Sequence, residues 1–162
     1  MLLYIVRHAF AGQNGDPRYP DDALRPLTKK GRKRFSRMIK RLVRRGLAPE
    51  LVASSPLVRC RQTADVICDR TGPRTKLHEL ESLAPGGPLE MLVAWSNEQG
   101  VEELAWVGHS PDVDRFVAAL IGGRDGAIVM AKGAVAIIQF EDEIVAGQGE
   151  LRGLATPKLL LS

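Results

Sequence analysis

The feature that most restricts the fold is the uninterrupted apolar run from Leu2 to Val6, close to the start of the chain. A strand with one wet face alternates apolar and polar residues, whereas a strand covered on both faces reads as a continuous apolar run. The run also contains aromatic and β-branched side chains, which favour strands. It therefore predicts a strand of a parallel sheet that has helices packed on both faces.

The rest of the chain alternates short apolar runs with stretches of helical periodicity. The clearest helix begins after Thr28, a good N-cap residue, continues to about Arg45 and stops at Gly46. The Ser54-Ser55-Pro56 turn opens the next helix, with Pro56 near the first position, where a missing N–H costs nothing. From Phe10 to Pro26 the chain has no periodicity and is predicted to be a loop.

The predicted strands cover residues 2–6, 51–53, 75–80 and 104–107, the predicted helices cover 28–45, 56–72, 89–98 and 112–121, and two closing strands cover 133–140 and 149–154. Strands and helices that alternate in this way favour an α/β protein, a three-layer α/β/α sandwich with a mostly parallel central sheet. An antiparallel pairing of the closing strands is one option.

The length and composition indicate a single domain over residues 1–162, with 44% apolar and 26% charged residues. No apolar run approaches the roughly 20 residues that span a bilayer, and the N-terminus does not resemble a signal peptide. We therefore expect a cytoplasmic protein that does not bind a membrane. Cys60 and Cys68 are eight positions apart on one predicted helix, about 12 Å along its axis, and are expected to stay reduced.

Positive charge is concentrated in one predicted helix. Ten of the 23 Lys and Arg residues lie between Lys29 and Arg45 with no acid among them, whereas the rest of the chain holds 13 basic and 19 acidic residues. One hypothesis is a non-enzymatic docking module for a polyanion or a protein, and the other is the solvated face of an amphipathic helix. Nucleic acid is not expected as a partner, because aromatic residues make up only 5% of the chain and Phe35 lies on the apolar stripe.

Two histidines and two arginines occur where strands are predicted to end or a helix to begin. Arg7 and His8 follow the first strand, His109 follows a later one, and Arg59 lies in the first turn or so of the helix after Pro56. Ligands of α/β proteins gather at the carboxyl ends of the strands, so these side chains are predicted to share a pocket.

These residue types suit phosphoryl transfer. A guanidinium matches two phosphate oxygens at once, a helix N-terminus adds N–H donors, and a neutral imidazole can attack phosphorus. We predict that His8 is the nucleophile and that Arg7, Arg59 and His109 bind the phosphoryl group, with His109 protonated or able to donate a hydrogen bond.

Three separate motifs carry a resemblance to a known family. They are Arg7-His8-Ala9, Ser55-Pro56-Leu57-Val58-Arg59 followed by Gln62-Thr63-Ala64, and Gly108-His109-Ser110-Pro111. In order and spacing they resemble the histidine phosphatase superfamily, also called the phosphoglycerate mutase-like family. The resemblance implies that fold, a phosphorylated His8 intermediate, and hydrolysis by water without a metal or other cofactor. The usual first motif is Arg-His-Gly, so Ala9 departs from it.

The chain looks like the compact SixA branch of that family, since only 49 residues separate Arg59 from His109. Members of the branch remove phosphate from phosphohistidine on proteins, which implies a phosphohistidine-bearing protein as substrate. Small phosphorylated metabolites or nucleotides are the alternative. The stretch Arg25-Pro26-Leu27-Thr28 is also similar to that branch and makes Arg25 a candidate third phosphate contact.

The proton donor is left open by the sequence. Glu79 and Glu81 follow the third predicted strand, where longer relatives carry their acid; Glu79 is preferred, and an imidazole that leaves already protonated needs neither. His78 is expected to be structural or on the surface. A metal site is not expected, because no His-Glu-x-x-His or paired-Cys spacing occurs and the arginines would repel a cation. A serine hydrolase is not expected either. A nucleophile elbow has a glycine two residues after its serine, and Asp112 occupies that position after Ser110.

Overall fold

A six-stranded sheet forms the centre of the computed structural model, which describes residues 1–161. The strands are β1 (Leu2–Arg7), β2 (Leu51–Ser54), β3 (Lys76–Glu79), β4 (Glu103–Gly108), β5 (Val135–Gln139) and β6 (Glu150–Ala155). Their order across the sheet is β3-β2-β4-β1-β5-β6. The first four strands of that order are parallel, whereas β5 is antiparallel to both β1 and β6. The prediction of a mostly parallel sheet is confirmed, and the closing strands take the antiparallel option.

Helices cover both faces of this sheet. They are α1 (Lys29–Val43), α2 (Val58–Thr71), α3 (Leu89–Asn97), α4 (Asp112–Leu120) and α5 (Pro157–Leu161), with 3₁₀ turns at Asp22–Leu24 and Glu81–Leu83. The sequence pattern missed α5 and both 3₁₀ turns, because segments of three to five residues are too short to show a helical period. Between residues 1 and 161, no helix has the length and apolar composition needed to cross a membrane.

The side chains of β1 explain why its apolar run is continuous. Leu3 and Ile5 pack into a cluster with residues of α3 and α4, while Tyr4 and Val6 pack into a cluster on the opposite face with residues of α1 and α2. Burial of a large apolar side chain stabilises the fold by about 1.5–3 kcal/mol. Both faces of β1 therefore need apolar residues, and the three-layer arrangement is as predicted.

The structure confirms the predicted cap of α1 and corrects the start of α2. The Thr28 hydroxyl accepts a hydrogen bond from the Gly31 N–H at 2.9 Å, as expected for an N-cap residue. α2 begins at Val58, two residues after Pro56. The Ser55 hydroxyl accepts the Leu57 N–H at 3.3 Å, so the turn stays extended outside the helix. Arg59 still lies in the first turn of α2, as predicted.

The register of the strands brings distant residues to one edge of the sheet. Arg7 pairs with Gly108 across β1 and β4, so the residues that follow these strands are neighbours. β5 runs in the opposite direction, and the turn before it therefore reaches the same edge. The Gly133 N–H lies 3.1 Å from the carbonyls of both Arg7 and His8. Gly133 has φ of 76°, and a Cβ there would lie 3.2 Å from Phe35, so this turn requires glycine.

Candidate active site

The two motif histidines lie side by side at the carboxyl edge of β1 and β4. Their ring centroids are 5.4 Å apart. The backbone N–H of His8 donates a hydrogen bond to the backbone carbonyl of Gly108 at 3.0 Å. Only 6% of His8 and 4% of His109 are exposed. Both imidazoles can therefore contact the same small bound group.

The backbone determines which nitrogen of His8 is free to react. Nδ1 lies 2.8 Å from the Ala9 carbonyl oxygen. Because a carbonyl oxygen can only accept a hydrogen bond, Nδ1 carries the proton of the neutral ring. The lone pair is then on Nε2, the ring atom that is free to act as a nucleophile.

Burial favours the neutral form of both rings. Desolvation lowers the pKa of His8 from 6.5 to about 3, and the nearby charges of His109, Arg59 and Arg7 act in the same direction. Desolvation also lowers the pKa of His109 to about 4, an effect that Arg59 strengthens and Asp112 opposes. At neutral pH His8 is thus unprotonated, which is the form that a nucleophile requires. His109 is also neutral when no anion is bound, whereas a bound anion would favour its imidazolium form, so both predicted states of His109 stay predictions.

His109 is held by the turn before α2. Its Nε2 atom lies 2.9 Å from the Ser55 hydroxyl and 3.3 Å from Sγ of the buried Cys60. A hydroxyl can donate or accept, so Ser55 can keep this contact when the ring gains a proton. Desolvation raises the pKa of the Cys60 thiol to about 12, which keeps it protonated. Cys60 and Cys68 are both free thiols, as expected.

Two buried guanidinium N–H groups of the pocket lack a hydrogen-bond partner. They are Nε of Arg7 and Nε of Arg59. The Nη1 atoms are paired: that of Arg7 donates to the Met130 carbonyl at 2.7 Å and that of Arg59 to the Asp22 carbonyl at 2.8 Å. A buried polar group without a partner costs about 1–3 kcal/mol, and more when it is charged. Both arginines are close enough to lower the pKa of His8, so an anion bound at His8 would be attracted by both guanidinium groups.

Arg25 belongs to the same pocket through Asp22. Arg25 is only 6% exposed, and it donates from Nε to Asp22 Oδ1 at 2.8 Å and from Nη1 to the Gly12 carbonyl at 2.6 Å. The second carboxylate oxygen of Asp22 lies 3.1 Å from Nη1 of Arg59. Arg25 also contributes to the lowered pKa of His109. The candidate third phosphate contact is thus within electrostatic reach of the motif residues, with one carboxylate shared between two arginines.

Two side chains of α2, Gln62 and Thr63, form hydrogen bonds with the segments that contain His8 and Arg25. Thr63 Oγ1 accepts the Ala9 N–H at 3.0 Å and donates to the Arg59 carbonyl at 2.7 Å. Gln62 Oε1 accepts the Leu27 N–H at 2.8 Å. The segment that contains His8 and the segment that contains Arg25 are therefore fixed to the same helix, which preorganises the pocket.

Asp22 and Lys132 are charged residues of the pocket that the sequence analysis missed. Asp22 lies in the loop without periodicity, and Lys132 lies in the turn before β5. Desolvation lowers the pKa of Lys132, and the nearby Arg7, Arg25 and Arg59 lower it further, so it adds to the same positive cluster. Lys132 could not be found from a local sequence pattern. Its place at this edge of the sheet depends on the pairing of β5 with β1, which are far apart in the sequence.

The candidate proton donors lie apart from the histidines. Glu79 ends β3, which is separated from β1 by β2 and β4, about 14 Å at the usual strand spacing. Its exposed carboxylate pairs with Arg61. Glu81 is exposed in the following 3₁₀ turn, and His78 is exposed on β3. In the part of the chain that the structure describes, no hydrogen bond joins Glu79 or Glu81 to the pocket, so a role for either acid stays a prediction.

The charge of the pocket suits an oxyanion. Four cations are close to the histidines or to one another, namely Arg7, Arg25, Arg59 and Lys132. They outnumber the two acids nearby, Asp22 and Asp112. Within residues 1–161, no three His, Cys, Asp or Glu side chains are grouped closely enough to hold a metal ion. The arrangement can bind a dianionic phosphoryl group against Nε2 of His8.

A sequence model of the histidine phosphatase superfamily, branch 1, matches residues 3–125, a range that contains all three motifs. The chain belongs to the histidine phosphatase superfamily. Membership implies phosphatase activity, and the matched range runs from β1 to the end of α4, the elements that carry both histidines.

Similar proteins share this fold over nearly their whole length. An uncharacterized protein of Picosynechococcus sp. is 34% identical over 173 residues, covering 99% of both chains. The structure of the protein histidine phosphatase SixA complexed with tungstate has a TM-score of 0.85 at 25% identity and covers 99% of each chain. A putative phosphohistidine phosphatase SixA from Agrobacterium tumefaciens has a TM-score of 0.79 at 21% identity, over 96% of this chain and 97% of that one.

A putative α-ribazole-5′-P phosphatase from Escherichia coli is similar as well, with a TM-score of 0.73 at 21% identity over 97% of this chain and 98% of that one. The predicted phosphoglycerate mutase-like fold and the likeness to SixA are therefore confirmed.

Proposed function

We propose that this protein removes phosphate from phosphohistidine on a partner protein, with His8 as the nucleophile. The observation that carries the proposal is the pair of buried, unpaired guanidinium N–H groups beside a neutral imidazole whose lone pair is on Nε2. Catalysis of phosphoryl transfer depends mainly on positioning and on donors placed where negative charge develops. Arg7 and Arg59 offer such donors at fixed positions around His8.

In the first step, Nε2 of His8 attacks the phosphorus atom of the substrate. The bond between Nε2 and phosphorus forms while the bond between phosphorus and the substrate nitrogen breaks. When the other ring nitrogen of the substrate phosphohistidine carries a proton, the ring leaves as a neutral imidazole and no protein acid is required. Arg7, Arg25 and Arg59 bind the phosphoryl oxygens, and His109 donates a further hydrogen bond.

In the second step, water attacks the phosphorus atom and the bond to Nε2 breaks, so that the electron pair returns to His8. The two protons of the water stay on the phosphate oxygens, and dihydrogen phosphate leaves. The hydrogen bond from Nδ1 of His8 to the Ala9 carbonyl keeps the ring oriented through both steps. The cationic cluster neutralises the phosphoryl charge. We therefore expect turnover without a metal cofactor.

The likeness to SixA supports a protein substrate, since the two chains cover 99% of each other. The 49 positions between Arg59 and His109 form the rest of α2, together with β3, α3 and β4, which belong to the sheet and its outer layers. Apart from the 3₁₀ turn Glu81–Leu83, this described stretch contains no further helix or strand. A phosphorylated side chain on a partner surface can then approach His8.

A second candidate is a phosphatase for small phosphorylated metabolites or nucleotides. It is favoured by the deep burial of His8 and His109, which a small ester reaches more easily than a side chain. The fold shared with the α-ribazole-5′-P phosphatase is compatible with it. The same residues would bind and attack the phosphoryl group.

The experiment that tests the proposal compares phosphate release from a phosphohistidine-bearing protein with release from a panel of small phosphate esters. Native protein, His8→Ala and the exposed-histidine control His78→Ala are assayed with a neutral quench. We expect native protein and the control to act, His8→Ala to be inactive, and kcat/KM to be highest for the phosphohistidine protein. A preference for one small ester would move the assignment to the second candidate, and full activity of His8→Ala would rule out the nucleophile.

The same assay resolves the proton donor. Glu79→Gln and Glu81→Gln should leave hydrolysis of phosphohistidine unchanged, because its leaving imidazole can already carry a proton. A loss of kcat confined to small esters with poor leaving groups would identify the altered glutamate as the acid. A loss of kcat on phosphohistidine itself would show that the leaving imidazole needs a protein acid, which would contradict the proposed mechanism.

A further inference from the structure

A second cavity, of about 420 Å³, opens next to the segment that follows the nucleophile. We call it the anchor cavity. Its apolar lining includes Phe10, Phe35 and Pro157, and its cationic lining consists of Lys30, Arg34 and Lys132. Ligand pockets usually measure about 300–1,000 Å³, so this one can hold a large side chain with the backbone around it.

The cations of the anchor cavity have no acidic partner within residues 1–161, since no salt bridge there involves Lys30, Arg34 or Lys132. Lys30 and Arg34 lie one turn apart in the first two turns of α1, and the helix dipole adds positive potential at Lys30 in the first turn. The cavity therefore attracts negative charge.

Lys132 joins the anchor cavity to the phosphate pocket. Its Nζ atom lies 4.7 Å from the centroid of the Phe10 ring, and its pKa is lowered by the same arginines that surround His8. Phe10 is two positions after His8, and 57% of its surface is exposed. A group that contacts Phe10 is thus held close to the nucleophile.

The apolar part of the cavity adds a second requirement for the occupant. Phe35 is 1% exposed and belongs to the protein core, whereas more than half of Phe10 is exposed, with the Lys132 ammonium group over its ring. An apolar floor with a basic rim complements an apolar side chain that has carboxylates on either side. A free phosphate ion would use only the rim.

We propose that the anchor cavity docks an acidic segment of the phosphorylated partner protein, with one apolar side chain against Phe10 and flanking carboxylates at Lys30, Arg34 and Lys132. The inference rests on the proposed function and adds the chemistry of the partner. Docking beside Phe10 raises the local concentration of the partner's phosphohistidine at His8 without any change in the chemical step.

The test measures binding of labelled peptides to the full chain by fluorescence anisotropy at low salt. The probe has one leucine between pairs of glutamates, and its two matched controls carry glutamine for glutamate or serine for leucine. We expect the probe to bind more tightly than both controls. Arg34→Glu should weaken probe binding by roughly three- to tenfold, in line with a partly exposed charge contact.

Arg41→Glu is the matched control variant. It makes the same charge change on the same helix, two turns from Arg34 and outside the cavity lining, and it should leave binding of the probe nearly unchanged. Equal weakening by Arg34→Glu and Arg41→Glu would overturn the proposal, since the whole basic helix would then attract the peptide. Tighter, Arg34-dependent binding of a single-stranded oligonucleotide would also overturn it.

Kinetics separate this inference from the proposed function. Arg34→Glu should raise KM for a phosphohistidine protein with an acidic surface and leave kcat/KM for p-nitrophenyl phosphate unchanged. Phe10→Ser, a change at an exposed side chain, should abolish the preference for the leucine peptide over the serine peptide; a preference that persists would refute the apolar anchor. Peptide binding as expected, without turnover of phosphohistidine, would refute the proposed function alone.

Discussion

Acidification should destabilise this protein through its two buried histidines. In the folded state burial lowers the pKa of His8 to about 3 and that of His109 to about 4, whereas unfolding returns both rings to water and to the ordinary value near 6.5. Between these values the unfolded chain binds protons that the folded protein does not. Their contribution to stability is therefore fully present above about pH 6.5 and is lost progressively as the pH falls toward the folded values.

The magnitude follows from the distance to the ordinary pKa. A pH of 5 is about 1.5 units below the ordinary pKa of histidine, so proton binding there stabilises the unfolded chain by about 2 kcal/mol per histidine. Both together amount to about 4 kcal/mol, a large part of the 5–15 kcal/mol by which a typical domain is stable. His8→Asn keeps a donor for the Ala9 carbonyl and removes the titration. Between pH 7.5 and pH 5, the free energy of unfolding of this variant should fall by about 2 kcal/mol less than that of native protein.

Urea unfolding, followed by tryptophan fluorescence at constant ionic strength in buffers without phosphate, measures this difference. Native protein is compared with His8→Asn and His109→Asn, and His78→Asn controls for removal of an exposed histidine. Acidic groups that titrate in all variants cancel in the comparison. An identical pH dependence for native protein and His8→Asn would show that the folded protein protonates His8 readily, and it would refute the argument from burial.

Three further changes test the pocket. Thr63→Val should lower the free energy of unfolding by about 1–3 kcal/mol in urea titrations, because the buried Ala9 N–H loses its acceptor. Asp22→Asn should tighten inhibition by orthovanadate roughly three- to tenfold, because the carboxylate 3.1 Å from Arg59 competes with the anion; weaker inhibition would show that Asp22 positions the arginine instead. EDTA should leave the rate of phosphate release unchanged, since the cationic pocket performs the charge neutralisation, and a loss that zinc or magnesium restores would contradict this.

Local patterns in the sequence predicted most of the fold. The continuous run of β1 required cover on both faces, and the cap and apolar stripe of α1 placed that helix within two residues of its observed end. The predicted start of α2 was wrong. The prediction used the general preference of proline for the first helical position, whereas in this turn the Ser55 hydroxyl accepts the Leu57 N–H and the helix begins later. α5 was missed because one turn of helix has no period to detect.

The candidate site was predictable only where residues follow strands. Arg7, His8 and His109 could be expected together, because parallel strands deliver their carboxyl ends to one edge. Asp22 and Lys132 could not, since a loop without periodicity and a turn before an antiparallel strand carry no local sign of where they will lie.

The sequence by itself determined the order of strands and helices, and with it the positions of the two histidines and of Arg59, because burial periodicity and capping act over a few neighbouring residues. Only the tertiary structure decided which nitrogen of His8 keeps its lone pair, that both rings are neutral, and that a basic, apolar cavity lies beside them. Those properties arise from a carbonyl, from desolvation and from charges that are close in space. Electrostatic effects and burial depend on distance in the folded protein and not on separation along the chain.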